Sequence, residues 1–225
     1  MSPESLPFQI ATWLIPLVFA IVLHEVSHGW VANAFGDPTA RDKGRLSLNP
    51  IRHVDPIGTV ALPLVLAISG APVFGWARPV PVVARRMRNP RLHMMLVALA
   101  GPGMNLALGI LAAIAVALVR SIAPADAGLG WEFLFANLVN FLVINIFLAV
   151  FNMLPIPPFD GGHVVQGLLP RTLATRYARL ARFGFPLVIF LIVILPLISP
   201  QANIVVGVVV PPVRAILALL GLPLE

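Results

Sequence analysis

The chain has 225 residues, 59% of them hydrophobic and 11% charged, with a net charge of +6 and no cysteine, and its mean hydropathy is +0.94. A soluble domain of this length cannot bury so large an apolar fraction in one core, so the composition excludes a soluble globular protein and implies a polytopic membrane protein. The absence of thiols rules out disulfides and a thiolate-bound structural zinc, leaving His, Asp and Glu as the available zinc ligands.

The first apolar segment, Phe8 to Phe35, is long enough to cross a bilayer as a helix. Glu4 stands where a cleavable signal peptide would carry a basic region, and no small-residue cleavage site follows, so the segment is expected to persist. Its only ionisable residues are His24, Glu25 and His28, in the sequence His24-Glu25-Val26-Ser27-His28. On a helix the two histidines share a face one turn apart, so their ring nitrogens can converge on one ion. Glu25, next to the first of them, can reach a water on that ion, as in the H-E-x-x-H arrangement of zinc hydrolases. The alternative is a structural polar cluster. Three polar side chains among lipid tails cost several kcal/mol unless they have partners or line a wet cavity, which favours the metal.

Basic residues follow in short clusters: Arg41, Lys43, Arg45 and Arg52; then Arg78, Arg85, Arg86, Arg88 and Arg91; then Arg171, Arg176, Arg179 and Arg182. The positive-inside rule places all three loops in the cytoplasm. The aromatic interleaving and soluble basic module of a nucleic-acid surface are missing, so no nucleic-acid partner is expected. Between the first two loops, Ile57 to Phe74 is short and broken by Pro63, Gly70 and Pro72. With both flanks cytoplasmic it predicts a re-entrant element, not a span.

Leu92 to Val119 then crosses outward, Ser121 to Gly130 forms a short external loop with Asp126, and Trp131 to Leu154 crosses back. Phe183 to Ser199 and Ile204 to Leu222 are two further apolar segments, interrupted by Pro186, Pro196, Pro211 and Pro212. The expected fold is all-α with about five to six transmembrane segments, no internal repeat and no separate soluble domain.

The fourth crossing ends in Phe151-Asn152-Met153-Leu154-Pro155-Ile156-Pro157-Pro158-Phe159-Asp160-Gly161-Gly162-His163. Closely spaced prolines end the helix and the glycines let the backbone turn. Asp160 is thereby presented at the same side and depth as His24 and His28. Two histidines need a third protein ligand and an open position for water, and Asp160 is the best candidate. A turn aspartate capping the next helix is the competing reading.

These residues resemble the site-2 protease family of intramembrane zinc metalloproteases. The resemblance rests on His24 to His28, on Phe151 to His163 and on Ala100-Gly101-Pro102-Gly103-Met104-Asn105. Ser47 to Thr59 and the Gly75 to Val82 stretch GWARPVPV also look like those of short bacterial members. The similarity runs from about His24 to Gly167. It implies a single membrane-protease domain over residues 1–225, with a three-helix zinc core within about 8–167 and accessory segments over about 183–222. One zinc ion per chain is expected on His24, His28 and Asp160, with Glu25 as catalytic base. PDZ and CBS domains, which many relatives carry, are missing. The implied location is a bacterial inner or plasma membrane, with the active site toward the cytoplasm and transmembrane proteins as substrates.

Further residues invite additional readings. Asn152 matches a family asparagine near the active site and is either the oxyanion donor or a helix C-cap. The GWARPVPV stretch, with Pro79 and Val80, has the alternating character of a short membrane-associated edge strand that would hold an unwound substrate by strand addition. Asn105 either hydrogen-bonds that substrate, supports the site, or packs helices. His53 either assists the metal or substrate or stabilises its loop, His163 has a similar status, and His93 is an interfacial anchor. A metal transporter would need a chain of ligating residues along a path, which the outer half lacks. A non-proteolytic relic would be expected to have lost Glu25 or a ligand, and all four residues are present. The sequence identifies neither the natural substrate nor the oligomeric state.

Overall fold

In the computed structural model, residues 3, 5–68, 75–124 and 126–223 are described; Glu4, Gly70, Pro72 and Phe74 lie outside them. Ten α-helices are described: α1 Leu6–Ala34, α2 Thr39–Asp42, α3 Leu62–Ile68, α4 Pro90–Ile122, α5 Leu129–Asn152, α6 Asp160–Leu168, α7 Arg171–Ala178, α8 Gly184–Ile189, α9 Leu195–Ile198 and α10 Val210–Leu219.

Three of them, α1, α4 and α5, are long and apolar enough to cross a membrane. Their ends follow local chemistry. Pro7 lies in the first turn of α1, where its missing N–H costs nothing. Asn89 caps α4 by accepting from the Leu92 N–H at 3.4 Å, with Pro90 at the first helical position. Only 28% of the apolar window in each of the three is buried, so most of the surface of each faces outward. Exposed Ile10, Trp13, Leu14 and Leu17 on α1 and Ile110, Leu111, Ile114 and Leu118 on α4 fit a lipid surround.

The three helices pack up, down, up: α4 runs antiparallel to α1 and α5, which are parallel to each other, and α4 also packs against α6. Polar contacts pin the register. Pro16 inside α1 has no N–H for the Thr12 carbonyl, and Asn140 Nδ2 of α5 donates to that oxygen at 2.8 Å.

The C-terminal region differs from the expected pair of spans. Residues Arg171–Phe183 and Pro186–Ile198 form helices bent by 65°, a fourth crossing only if the bent pair counts as one. Val205–Leu219 is a shorter apolar helix. Among the described residues neither that helix nor α3 has the length of a span, so three helices, or four with the bent pair, reach that length. The cause is proline placement. The π-type turns at Pro56–Ala61, Phe190–Ile194 and Val205–Val209 lie ahead of Pro63, Pro196 and the Pro211-Pro212 pair, which remove the donors a continuous α-helix would need. Val209, Val213 and Leu217 nevertheless bury themselves against Ala112, Leu142 and Ile146 of the core.

Among the described residues there is no strand, so the expected edge strand over Gly75 to Val82 is corrected to an extended strap. Its N–H groups bond singly to different partners: Trp76 to the Gly58 carbonyl at 3.1 Å and Arg78 to the His53 carbonyl at 2.8 Å. Pro79 and Pro81 cannot donate, so no ladder forms along the other edge.

Candidate metal centre

α1 carries His24 and His28 on its buried face, and their Nε2 atoms lie 3.1 Å apart. Asp160 opens α6, which the proline-rich turn after α5 swings back onto α4. Its Oδ2 lies 3.2 Å from His24 Nε2 and 3.4 Å from His28 Nε2. The Asp160 side chain caps no helix, so the competing turn-cap reading is not what the fold uses. A methyl group at Gly161 would come within 2.3 Å of the Met153 carbonyl oxygen, so only glycine lets α6 begin this close to the end of α5.

The protons on these rings follow from their other partners. His28 Nδ1 faces the Val97 carbonyl at 2.7 Å, an acceptor only, so Nδ1 carries the hydrogen and Nε2 a lone pair. His24 Nδ1 faces Asn105 Oδ1 at 2.5 Å, with the same consequence. With both rings neutral, two imidazole lone pairs and a carboxylate oxygen therefore meet at one point. Asp160 Oδ2 is buried and accepts no hydrogen bond, and such an arrangement needs a cation at its centre. Four ligands at zinc–nitrogen distances of about 2.0–2.1 Å sit at tetrahedral edges of about 3.3 Å, which the observed separations match. Gly101 of α4 leaves room on that side: a methyl there would sit 2.5 Å from His28 Nε2 and 2.6 Å from His24 Nε2. His24, His28 and Asp160 can thus hold one metal ion.

Beside this triad lies a cavity of about 300 Å³ lined by Glu25, Pro79, Val80, Asn152, Asp160 and His163, among others. Glu25 Oε2 accepts from the Val80 N–H at 2.9 Å, which ties the strap to the carboxylate. Arg45 Nη2 donates to the Arg78 carbonyl at 2.7 Å and holds the strap from outside. Asn152, the last residue of α5, donates from Nδ2 to the Leu148 carbonyl at 3.0 Å and keeps one amide hydrogen beyond it.

Two expected residues lie elsewhere. Asn105 is fully buried between α1 and α5, where its Oδ1 faces His24 Nδ1, and it is not among the residues that line the cavity. His53, also buried, pairs its Nε2 with the Ser47 carbonyl at 2.7 Å, a loop contact. His163 lines the cavity one turn after Asp160. His93 stacks on Phe35 at 4.1 Å between ring centres.

Two buried residues here were not anticipated. Asn145 of α5 is fully buried and its Oδ1 accepts from Asn105 Nδ2 at 2.7 Å; a polar residue in the apolar run of α5 was the available signal. Asp37, fully buried just past α1, accepts from the Val83 N–H at 2.5 Å and from Thr39 N and Oγ1, anchoring the far end of the strap. Burial alone would raise the Asp37 carboxyl; the bonds from Thr39 and Val83 and the charge of Arg86 outweigh it and hold the group below its ordinary value.

The profile of peptidase family M50 matches residues 121–195, a stretch that includes Asn152 and Asp160. Two relatives carry the name "putative zinc metalloprotease". YwhC of Bacillus subtilis is 35% identical over 192 residues, covering 83% of this chain and 81% of that protein. Rip2 of Mycolicibacterium smegmatis is 32% identical over 197 residues, covering 86% of this chain and 68% of that protein. No solved structure matches the chain.

Proposed function

The chain belongs to the M50 peptidase family, the site-2 protease type, and from that premise we propose that it hydrolyses peptide bonds within or beside transmembrane helices. The observation that carries this reading is the meeting of two imidazole nitrogens and a buried carboxylate oxygen at 3.1–3.4 Å inside a bundle of membrane-length helices.

In this reading His24, His28 and Asp160 hold one zinc ion per chain. Zinc supplies, when bound, a Lewis acid that acidifies a water and polarises a carbonyl. Glu25 takes the proton of that water and passes it to the leaving nitrogen of the cleaved peptide, within the cavity it lines. Asn152 donates its remaining amide hydrogen to the oxyanion that forms on the carbonyl oxygen. The 75–83 strap walls the cavity through Pro79 and Val80. With its own edge interrupted by proline, it offers an extended substrate carbonyl oxygens and shape more than a full ladder. Residues 8–167 form the catalytic core, and 183–222 are accessory segments packed on its outer side. The basic loops place the site toward the cytoplasmic face of a bacterial membrane, and the substrates are transmembrane proteins whose helices unwind locally to enter.

The test is Glu25→Gln, nearly isosteric and still able to hydrogen-bond. It should retain zinc near wild-type stoichiometry and lower cleavage of a transmembrane substrate in liposomes by about 100- to 10000-fold. Cleavage equal to wild type refutes the proposed base; zinc lost together with activity recasts Glu25 as a structural part of the metal site.

A further inference from the structure

The two buried amides behind His24 form a continuous relay across three helices. Asn145 Nδ2 of α5 donates to the Phe141 carbonyl at 2.8 Å, one turn earlier in its own helix. That bond turns Asn145 Oδ1 toward α4, where it accepts from Asn105 Nδ2 at 2.7 Å. The same Nδ2 also donates to the Ala20 carbonyl of α1 at 3.3 Å. Both neighbours on the Nδ2 side of Asn105 are acceptors, so the amide has one satisfied orientation, with Oδ1 directed at His24 Nδ1. Reversing it would set an oxygen against two oxygens in a site with no water to compensate, since Asn105 and Asn145 are both fully buried.

We propose that Asn145 and Asn105 are positioning residues that lock His24 into the Nδ1–H tautomer and so keep its Nε2 lone pair free for the metal. α5, which carries no metal ligand itself, thereby sets the affinity of a ligand on α1. The carbonyl of Val97 does the same for His28 without an intermediary, so the two histidines differ: His28 is fixed by backbone, and His24 depends on a side-chain network that substitution can break.

This inference rests on the zinc reading above, and its test separates the two. Zinc affinity of the purified, folded protein is measured by chelator competition in wild type, Asn145→Leu, Asn145→Asp, Asn140→Leu and His24→Ala. Asn145→Leu removes the acceptor that orients Asn105 and should weaken zinc binding about 10- to 100-fold. Asn145→Asp, neutral when protonated in this site, keeps an acceptor for Asn105 and a donor for Phe141 and should stay within about threefold of wild type. Asn140→Leu loses a comparable interhelical bond, to the Thr12 carbonyl, yet should leave zinc affinity unchanged; a merely structural role for Asn145 predicts that the two leucine variants behave alike. If Asn145→Leu does not fold, a second variant decides. Asn145→Ala removes the same acceptor without added bulk and should weaken zinc binding about 10-fold or more, and wild-type affinity in that variant overturns the relay. Wild-type affinity in folded Asn145→Leu, with loss in His24→Ala, also overturns the relay alone, whereas retention in His24→Ala overturns the zinc site beneath it.

Discussion

The helices around His24 and the C-terminal region after Arg171 are both apolar, yet they are held together differently. In the first, α1, α4 and α5 run unbroken for at least 24 residues each, and polar side chains of one helix meet backbone or side-chain partners on another, as Asn140 does at Thr12 and Asn105 at Ala20. In the second, prolines divide the chain into short helical pieces, and it meets the core through the apolar packing of Val209, Val213 and Leu217 and a hydrogen bond from the Tyr177 hydroxyl to the Pro155 carbonyl at 2.7 Å. Lipid gives apolar packing little advantage over exposure, so specific geometry in a membrane comes from satisfied polar groups and close approach. The metal centre is where those groups are concentrated.

Two helical glycines give the largest contrast. Gly101→Ala places a methyl on the Nε2 atoms of both histidines, whereas nothing lies within 4 Å of the corresponding position at Gly207. Gly101→Ala should lose zinc and at least about 100-fold of cleavage activity, and Gly207→Ala should change neither; zinc analysis and a liposome cleavage assay on the two proteins check this. Equal behaviour would erase the distinction between the regions.

A cavity in the C-terminal packing should cost stability without touching the metal. Leu217 is fully buried, and Leu217→Ala should lower unfolding stability in detergent by about 2–4 kcal/mol while zinc affinity stays at the wild-type value. A parallel drop in affinity would show that the region supports the site and is no mere accessory.

The smallest effect concerns the strap. The Asp37 carboxyl is held below its ordinary value of 3.8, so its ionised form stabilises the fold at pH above that value, and this contribution disappears as pH falls through the depressed folded value. Asp37→Asn should lower thermal stability at pH 7 by about 1–2 kcal/mol and flatten the acid limb of the stability curve below about pH 4. An unchanged acid limb would remove Asp37 from the anchoring of the strap.

The sequence shows the candidate metal ligands and the helices around them through plain signals: ionisable residues in an apolar run stand out, and α1, α4 and α5 have one proline or fewer in their interiors. Asp160 was legible because prolines and glycines force a turn at the level of His24. The relay was not legible as a relay. α5 carries Asn137, Asn140, Asn145 and Asn152 among apolar residues, but nothing in its sequence pairs Asn145 with Asn105, because the partner depends on how α4 and α5 are rotated against each other. The strap was read as a strand from its alternation, but alternation fixes neither a partner nor a register, and Pro79 and Pro81 remove half of one edge. In the C-terminal region hydropathy measures length in residues, while prolines decide how many of those residues lie in one straight helix.

The proposed site needs His24, His28 and Asp160 together to hold one metal ion. Zinc content of the purified protein, measured by inductively coupled plasma mass spectrometry on wild type, His28→Ala and Asp160→Ala, should be about one per chain in wild type and close to zero in each variant. Stoichiometric zinc in folded Asp160→Ala would contradict it, because the carboxylate that meets the two histidines at 3.2 and 3.4 Å would then not be a ligand.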